Sequence, residues 1–316
     1  MMSHKPSIII TGSDLAQEAV DLLSDYQLVY AGRQPSEADL IALCQQHNPH
    51  AIIVRYGKIS ASIMDAAPAL RVIAKHGSGI DVIDQAAAAQ REIRVLAATG
   101  ANAAAVAEHT WALILACAKS VVTLDARMRE GHWDKAQHKS IELEGRTLGL
   151  IGLGAIGSRV AKAGVAFGMQ VIAYDPWAKQ LPDGCEAVEL TALFNRADVV
   201  SLHCPLTEQN RAMINRDTLA QFKPGAMLIN TARGGLIEEE ALANALQDGT
   251  LGCAALDSFT QEPLTAPHRW QSLSNVILSP HIGGVSDTSY VKMGSTAARN
   301  VLSVLRAGAV EESTSA

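Results

Sequence analysis

The chain has 316 residues, 48% of them hydrophobic and 18% charged, enough for one large domain or two ordinary ones with cores of their own, which excludes a disordered or fibrous protein. Aromatics make up only 4%, so the core has to be built from Ala, Val, Ile and Leu, and this favours helices on a buried parallel sheet over an antiparallel sandwich. A net charge of −6, with no Lys/Arg cluster or basic helix face, leaves no electrostatic footprint for nucleic acid, so a small ligand is the expected partner.

The N-terminus, MMSHKPSIIITGS, carries an apolar run that stops at Thr11, too short for a signal peptide. Short Val/Ile/Leu runs then recur: Ser7 to Thr11, Ala51 to Arg55, Val72 to Lys75, around Val95, Leu148 to Gly152, Val171 to Tyr174, Val199 to His203, Met227 to Thr231, Ala254 to Leu256 and Val276 to Ser279. Ala-rich helical stretches lie between them, a βαβα pattern. The runs are continuous and do not alternate with polar residues, so both faces of each sheet are expected to be covered by helices. Asn102 to Lys119 is the longest helical pattern, opened by an Asn suited to an N-cap, and reads as a connector between domains. Its strongly apolar part, Trp111 to Ala118, is far below membrane-spanning length. No repeat emerges, and only Glu311 to Ala316 reads as disordered. Cys44, Cys117, Cys185, Cys204 and Cys253 are spread out and contain no C-x-x-C pair, which argues against a disulfide framework or a zinc site and for thiols in a reducing cytoplasm. No metal is expected.

The run Leu148-Gly-Leu-Ile-Gly-Leu-Gly-Ala-Ile-Gly157 puts a strand before Gly152, Gly154 and Gly157 and a helical stretch after them, the context that a G-x-G-x-x-G dinucleotide motif requires. Gly152 permits the tight turn, Gly154 the approach of a pyrophosphate and Gly157 close helix packing, with Ala155 and Ile156 beside the phosphates at the helix N-terminus. Asp175 ends the next strand, where a carboxylate can accept both ribose hydroxyls. It would repel a 2′-phosphate, so NAD is expected over NADP.

Three later segments each place a polar residue just after a strand, the end at which doubly wound sheets bind ligands. They are Ile229-Asn-Thr-Ala-Arg-Gly-Gly235, Leu256-Asp-Ser-Phe-Thr-Gln-Glu-Pro263 and Leu278-Ser-Pro-His-Ile-Gly-Gly284. With the glycine motif, Lys75-His-Gly-Ser-Gly-Ile-Asp81 and Val106-Ala-Glu-His109, the chain resembles the D-isomer-specific 2-hydroxyacid dehydrogenases over nearly its whole length, in the manner of short phosphoglycerate dehydrogenases or hydroxypyruvate reductases. The resemblance implies hydride transfer between NAD and a small 2-hydroxy acid. That chemistry needs a proton acceptor, a cation for the carboxylate and a nicotinamide held against the substrate carbon. His281 is the implied acid/base, with an ordinary pKa of about 6.5. Glu262 is implied to hydrogen-bond it and favour the imidazolium. Arg233 offers a fixed, always-charged fork for the carboxylate. Asp257 is similar to the residue that orients the nicotinamide carboxamide. Val106, Pro205, Thr207, Thr231, Ala232 and Gly283 are the further implied cofactor contacts. His109 and His203 read as structural.

Gly77-Ser78-Gly79 follows a strand and can form a nest of backbone N–H groups for an anion. By resemblance Ser78 and Gly79 hold the substrate carboxylate together with Arg233. Arg55 resembles a position facing substrate phosphate, and Arg55, Lys58 and Lys75 together suggest a doubly anionic substrate. Ser258, where the family has Val, and His138-Lys-Ser140, in place of an aromatic-x-Gly, depart from the family pattern. The chain ends too early for the regulatory domain of many phosphoglycerate dehydrogenases. The expected architecture is α/β, with two Rossmann-like or flavodoxin-like doubly wound parallel-sheet domains: residues 1–100 plus 286–316 bind substrate, residues 101–285 bind NAD, and the active site lies in the cleft. A cytoplasmic homodimer without nucleic-acid or membrane partners is expected, acting on 3-phosphoglycerate or on hydroxypyruvate/glycerate. Two rivals carry different chemistry. An NAD-sensing corepressor would use the same fold without turnover, and a methyltransferase would use the glycine loop but give the other three segments no task.

Overall fold

The computed structural model describes residues 5–314. The chain divides into two compact units, one made of the residues up to Asn102 together with those from Val285 onward, the other spanning Ala103–Gly284.

The first unit is built on a parallel sheet of β1 (Ser7–Ile10), β2 (Gln27–Tyr30), β3 (Ala51–Val54), β4 (Val72–Lys75) and β5 (Arg94–Ala97) in the order β2-β1-β3-β4-β5. Successive side chains of a strand point to opposite faces, and the core divides accordingly. Ile9, Ile52, Val54 and Ile73 pack on one side with Leu40, Ile63 and Met64. Ile8, Ile10, Ile53, Val72 and Ala74 pack on the other with Ala19, Ala297, Val301 and Leu305. The helices α1 (Gln17–Leu22), α2 (Glu37–His47), α3 (Ala61–Asp65) and α4 (Gln85–Gln90) follow the first four strands. The starts of α2, α3 and α4 are chosen by short polar side chains. Ser36 and Asp39 form a capping box on α2, Ser60 accepts from Ile63 N on α3 and Asp84 from Ala87 N on α4. The C-terminal helix, Asp287–Thr314, supplies Ala297, Ala298, Val301 and Leu302 to the second face, so this end of the chain completes the first unit.

The second unit opens with α5 (Ala103–Lys119) and α6 (Val121–Arg129). Its sheet holds β6 (Thr147–Ile151), β7 (Gln170–Tyr174), β8 (Cys185–Ala187), β9 (Val199–Leu202), β10 (Ala226–Asn230), β11 (Leu251–Leu256) and β12 (Val276–Leu278). All pairings are parallel, in the order β12-β11-β10-β9-β6-β7-β8. Interleaved are α7 (Gly157–Ala166), α8 (Leu190–Arg196), α9 (Arg216–Leu219) and α10 (Glu239–Gln247). The strand order reverses between β6 and β9, the switch point at which such sheets bind nucleotides.

Two strands go beyond the expected set. β2 and β8 are sheet edges with largely exposed or half-buried residues, so they lack the apolar runs that mark the others. The segment expected to be disordered at the C-terminus is helical as far as Thr314, while Ser315 and Ala316 lie outside the described residues. The helix begins at Ala103, and the Asn102 carboxamide oxygen accepts a hydrogen bond from Ser78 Oγ at 3.2 Å. Among the described residues no single helix is long and apolar enough to cross a membrane.

Candidate active site

The glycine loop leaves β6 at Gly152, whose φ of +99° is a conformation that favours glycine. A Cβ there would stand 2.8 Å from the His203 carbonyl and the Cys204 N at the end of β9. A Cβ on Gly157 would lie 2.1 Å from the Gly152 carbonyl oxygen, so α7 starts hard against the turn. Gly154 differs from both, because a Cβ there would meet nothing within 4 Å. Gly154 and Ala155 are exposed and Ile156 is half-buried. This open stretch, bare at Gly154, at the N-terminus of a ten-residue helix is what a pyrophosphate requires. Asp175, just past β7, accepts from Leu153 N at 2.7 Å and from Trp177 N at 2.8 Å. The carboxylate therefore shapes the glycine loop and keeps acceptor capacity for ribose hydroxyls. These residues fit a dinucleotide, with the loop over the phosphates and Asp175 at the adenosine ribose.

The segments after β10, β11 and β12 meet in one place. Asn230, fully buried at the end of β10, donates from Nδ2 to the Arg233 carbonyl (2.9 Å) and accepts from Ala232 N (3.0 Å). It thereby closes the turn that carries Arg233. Gly234 follows because nothing larger fits: a Cβ there would sit 2.0 Å from the Phe259 carbonyl carbon and 2.3 Å from Thr260 N. The Arg233 turn is thus pressed against the loop bearing Glu262. In that loop Glu262 Oε1 accepts from Phe259 N (2.9 Å), and Oε2 lies 2.8 Å from His281 Nδ1. Burial alone would raise the Glu262 carboxyl. The hydrogen bonds from His281 and Phe259 N, with the charges of His281 and Arg233, outweigh it and hold the group below its usual value.

His281 has φ +54°, a left-handed backbone that a non-glycine residue adopts only where its surroundings enforce it. The enforcing group is Asp257, 2% exposed. Its Oδ1 accepts from Ser279 Oγ (2.6 Å) and Ile282 N (2.9 Å), and its Oδ2 from Gly283 N (2.8 Å). His109 Nε2 on α5 lies 3.0 Å from Ser279 Oγ and 3.4 Å from Asp257 Oδ1. Gly283 is small because a Cβ would meet Asp257 Oδ2 at 2.9 Å. The expectation that Asp257 orients a carboxamide thus meets a carboxylate whose oxygens already hold the His281 turn. Thr110, beside His109, shares a 3.0 Å hydrogen bond with Thr231, while the Val106 carbonyl accepts from Thr110 Oγ1 (2.8 Å). Asn210 folds the loop after β9, accepting from Thr207 N and donating to the Pro205 carbonyl, both at 2.7 Å. His203 is held neutral by burial, its pKa lowered to about 4.

In the first unit Ser78 and Gly79 follow β4, after Gly77 at φ +145°. Arg55 forms an ion pair with Asp14 and is only 10% exposed, and Lys75 Nζ donates to the Arg55 carbonyl at 3.1 Å. Two of the three cations are therefore already engaged within the fold, while Lys58 is exposed. Of the departures from the family pattern, Ser258 is buried and its Oγ has no hydrogen-bond partner among the described residues, and His138 Nε2 lies 3.1 Å from Ser140 Oγ.

Residues 111–283 match the family model described as D-isomer specific 2-hydroxyacid dehydrogenase, NAD binding domain. The chain belongs to this family. It is 40% identical over 282 residues to a hydroxypyruvate reductase of Thermotoga maritima, an alignment covering 89% of this chain and 92% of that protein. It is 36% identical over 301 residues to a D-3-phosphoglycerate dehydrogenase of Synechocystis, covering 94% of this chain and 54% of that one, so it spans about half the length of the latter. Its fold is similar to that of the D-lactate dehydrogenase of Aquifex aeolicus complexed with NAD and lactic acid, with TM-score 0.84, 29% identity and coverage of 95% and 96% of the two chains. The family makes this an NAD-dependent oxidoreductase acting on the CH–OH group of 2-hydroxy acids. The reductase and dehydrogenase names of the relatives give the corepressor reading no support.

Replacing Asp175 by Ala removes a carboxylate placed to accept ribose hydroxyls and loosens Leu153, and a lost hydrogen bond of this kind costs about 1–3 kcal/mol. The expected outcome is a rise in the KM for NADH of roughly tenfold or more, with a smaller change for NADPH. The folded Glu262 carboxyl has a lower pKa than the unfolded one, about 4.3. Its stabilising contribution is therefore complete above that value and lost as pH falls through the folded one. Denaturation midpoints of the wild type and Glu262→Gln are expected to differ at about pH 7 and to converge as pH falls through the lowered folded value.

Proposed function

We propose that the chain interconverts a small 2-oxo acid and its D-2-hydroxy acid, the substrate being hydroxypyruvate/glycerate or its 3-phospho counterpart, with His281 as acid/base, Glu262 as its partner and Arg233 as the carboxylate fork. The observation that carries this reading is the His281–Glu262 contact of 2.8 Å, in the unit that also holds the glycine loop. With Nδ1 facing the carboxylate, Nε2 is the nitrogen left to exchange a proton, and the side chain is 45% exposed. In the reductive direction His281 Nε2 gives its proton to the 2-oxo oxygen as that oxygen gains charge. Glu262 stabilises the imidazolium before the transfer and fixes the ring orientation. The Arg233 guanidinium binds the substrate carboxylate and polarises the adjacent carbonyl. NADH, when bound, supplies the hydride that the substrate carbon receives. In the first unit, Ser78 and Gly79 follow Gly77 in a turn whose backbone N–H groups suit a substrate carboxylate.

A homodimer belongs to the same reading. α6 has no buried residue, and it exposes Val121, Val122 and Met128, with Trp133 beyond it 74% exposed. These exposed apolar side chains on one short segment support association there. The five cysteines are free, which supports a reducing, cytoplasmic setting.

The test of activity is NADH oxidation against hydroxypyruvate, glyoxylate, pyruvate and 3-phosphohydroxypyruvate. Turnover should fall by about 10² to 10⁴ in His281→Ala. Turnover that survives this change near wild-type level removes His281 from the acid/base role, and no turnover with any acid sinks the reading. For the dimer, sedimentation at micromolar concentration should give twice the chain mass of 33.4 kDa, and charged replacements of Val122 and Met128 should shift it to the monomer.

A further inference from the structure

The sheet order β2-β1-β3-β4-β5 reverses between β1 and β3, so the first unit has a switch point of its own. Ligands of such sheets bind beyond the carboxyl ends of the strands at that place. The residues there are Gly12 to Asp14 after β1 and Arg55–Tyr56 after β3. A cavity of about 380 Å³ opens at them, lined by Ser13, Asp14, Arg33, Gln34 and Tyr56.

Arg55 is the cation best placed to draw in a second anion, and it is spoken for. Its Nη1 donates to the Asp14 carboxylate and to the Asp14 carbonyl. Its guanidinium carbon stands 5.3 Å from the Tyr56 ring centroid and 5.1 Å from that of Tyr290. Gly12 leaves the space for it, since a Cβ there would be 3.0 Å from Arg55 Cδ. Tyr290, from the C-terminal helix, donates its hydroxyl to the same Asp14 Oδ1 and packs 5.6 Å from the His76 ring. The Tyr290 hydroxyl first, then Arg55 and Ser13, outweigh desolvation and hold Asp14 down to about 2, so the carboxylate is charged throughout the working range.

Asp14 is the open member of the group, 58% exposed against 10% for Arg55. Its Oδ1 serves Arg55 and Tyr290, while Oδ2, among the described residues, takes Ser13 Oγ at 3.0 Å, and a carboxylate oxygen has room for a second donor. A hydroxyl can add to Oδ2 without displacing anything. A phosphate can reach Arg55 only by removing Asp14 from a charge-assisted bond, and it meets a like charge on the way. Arg33, on the rim, is exposed and screened by solvent.

We infer that Asp14 is a specificity-determining residue, accepting a hydroxyl on the substrate's far carbon and excluding a phosphate, so that the enzyme takes short unphosphorylated hydroxylated 2-oxo acids. This rests on the reading above that the first unit binds the substrate of an NAD-dependent dehydrogenase.

The test is kcat/KM with NADH for hydroxypyruvate and for 3-phosphohydroxypyruvate, on the full chain. Wild type should favour hydroxypyruvate by about tenfold or more, and Asp14→Asn should move the ratio by about tenfold towards the phosphorylated acid, chiefly through KM. Adding Arg55→Ala to Asp14→Asn should cancel that gain, as a merely structural role of Asp14 would not require. Tyr290→Phe, which keeps the ring and removes one donor to Asp14, should move the ratio the same way as Asp14→Asn by a smaller factor and serves if the latter does not fold. A wild-type preference for the phosphorylated acid overturns the inference, as does an unchanged ratio in a folded variant. No turnover of either acid by wild type strikes the dehydrogenase reading itself.

Discussion

A carboxyl group removed from water has to find partners, and in this protein that demand organises the catalytic segment. Asp257 is 2% exposed and satisfies itself with Ser279 Oγ and the N–H groups of Ile282 and Gly283. Those bonds curl the chain after β12 so tightly that His281 sits at φ +54°. The curl turns Nδ1 towards Glu262. His109, from α5, closes the knot from the other side through Ser279. The His281–Glu262 contact is thus held by a buried side chain on the far side of the turn, which is how a strained backbone is kept in place.

The same logic runs through Arg233. Asn230 pins its turn with both ends of one carboxamide, and Gly234 lets the Glu262 loop press against it. Arg233 and Glu262 are far apart in sequence, and they are brought together because one residue between them has no side chain. The lowered Glu262 carboxyl reflects this convergence, since Arg233 and His281 both act on it.

Which of these features could be read from the amino-acid sequence follows from where the information lies. Fully buried strands such as β3, β6, β9 and β10 announce themselves as apolar runs. β2 and β8 do not, because an edge strand needs little apolar surface. Arg233, Glu262 and His281 stand out as charged residues just past strands, beside glycines. Ser279 and His109 do not, since each acts through a partner remote in sequence: Ser279 on Asp257, His109 on both. A polar residue ending an apolar run, as Asn230 does, was the one signal available. Arg55 shows the opposite difficulty. Its position after β3 is legible, but Asp14 and Tyr290, which neutralise and cover it, lie 41 and 235 positions away along the chain.

The return of the C-terminal helix to the first unit sets the order in which the protein can be finished. Synthesis releases residues 1–102 first, yet one face of their sheet is closed by Ala297, Val301 and Leu305. The second unit, contiguous from Ala103 to Gly284, is complete before those residues leave the ribosome, and domains fold as they become complete. The half of the enzyme begun first is therefore the half that matures last, with an apolar sheet face waiting for the helix from Asp287 onward.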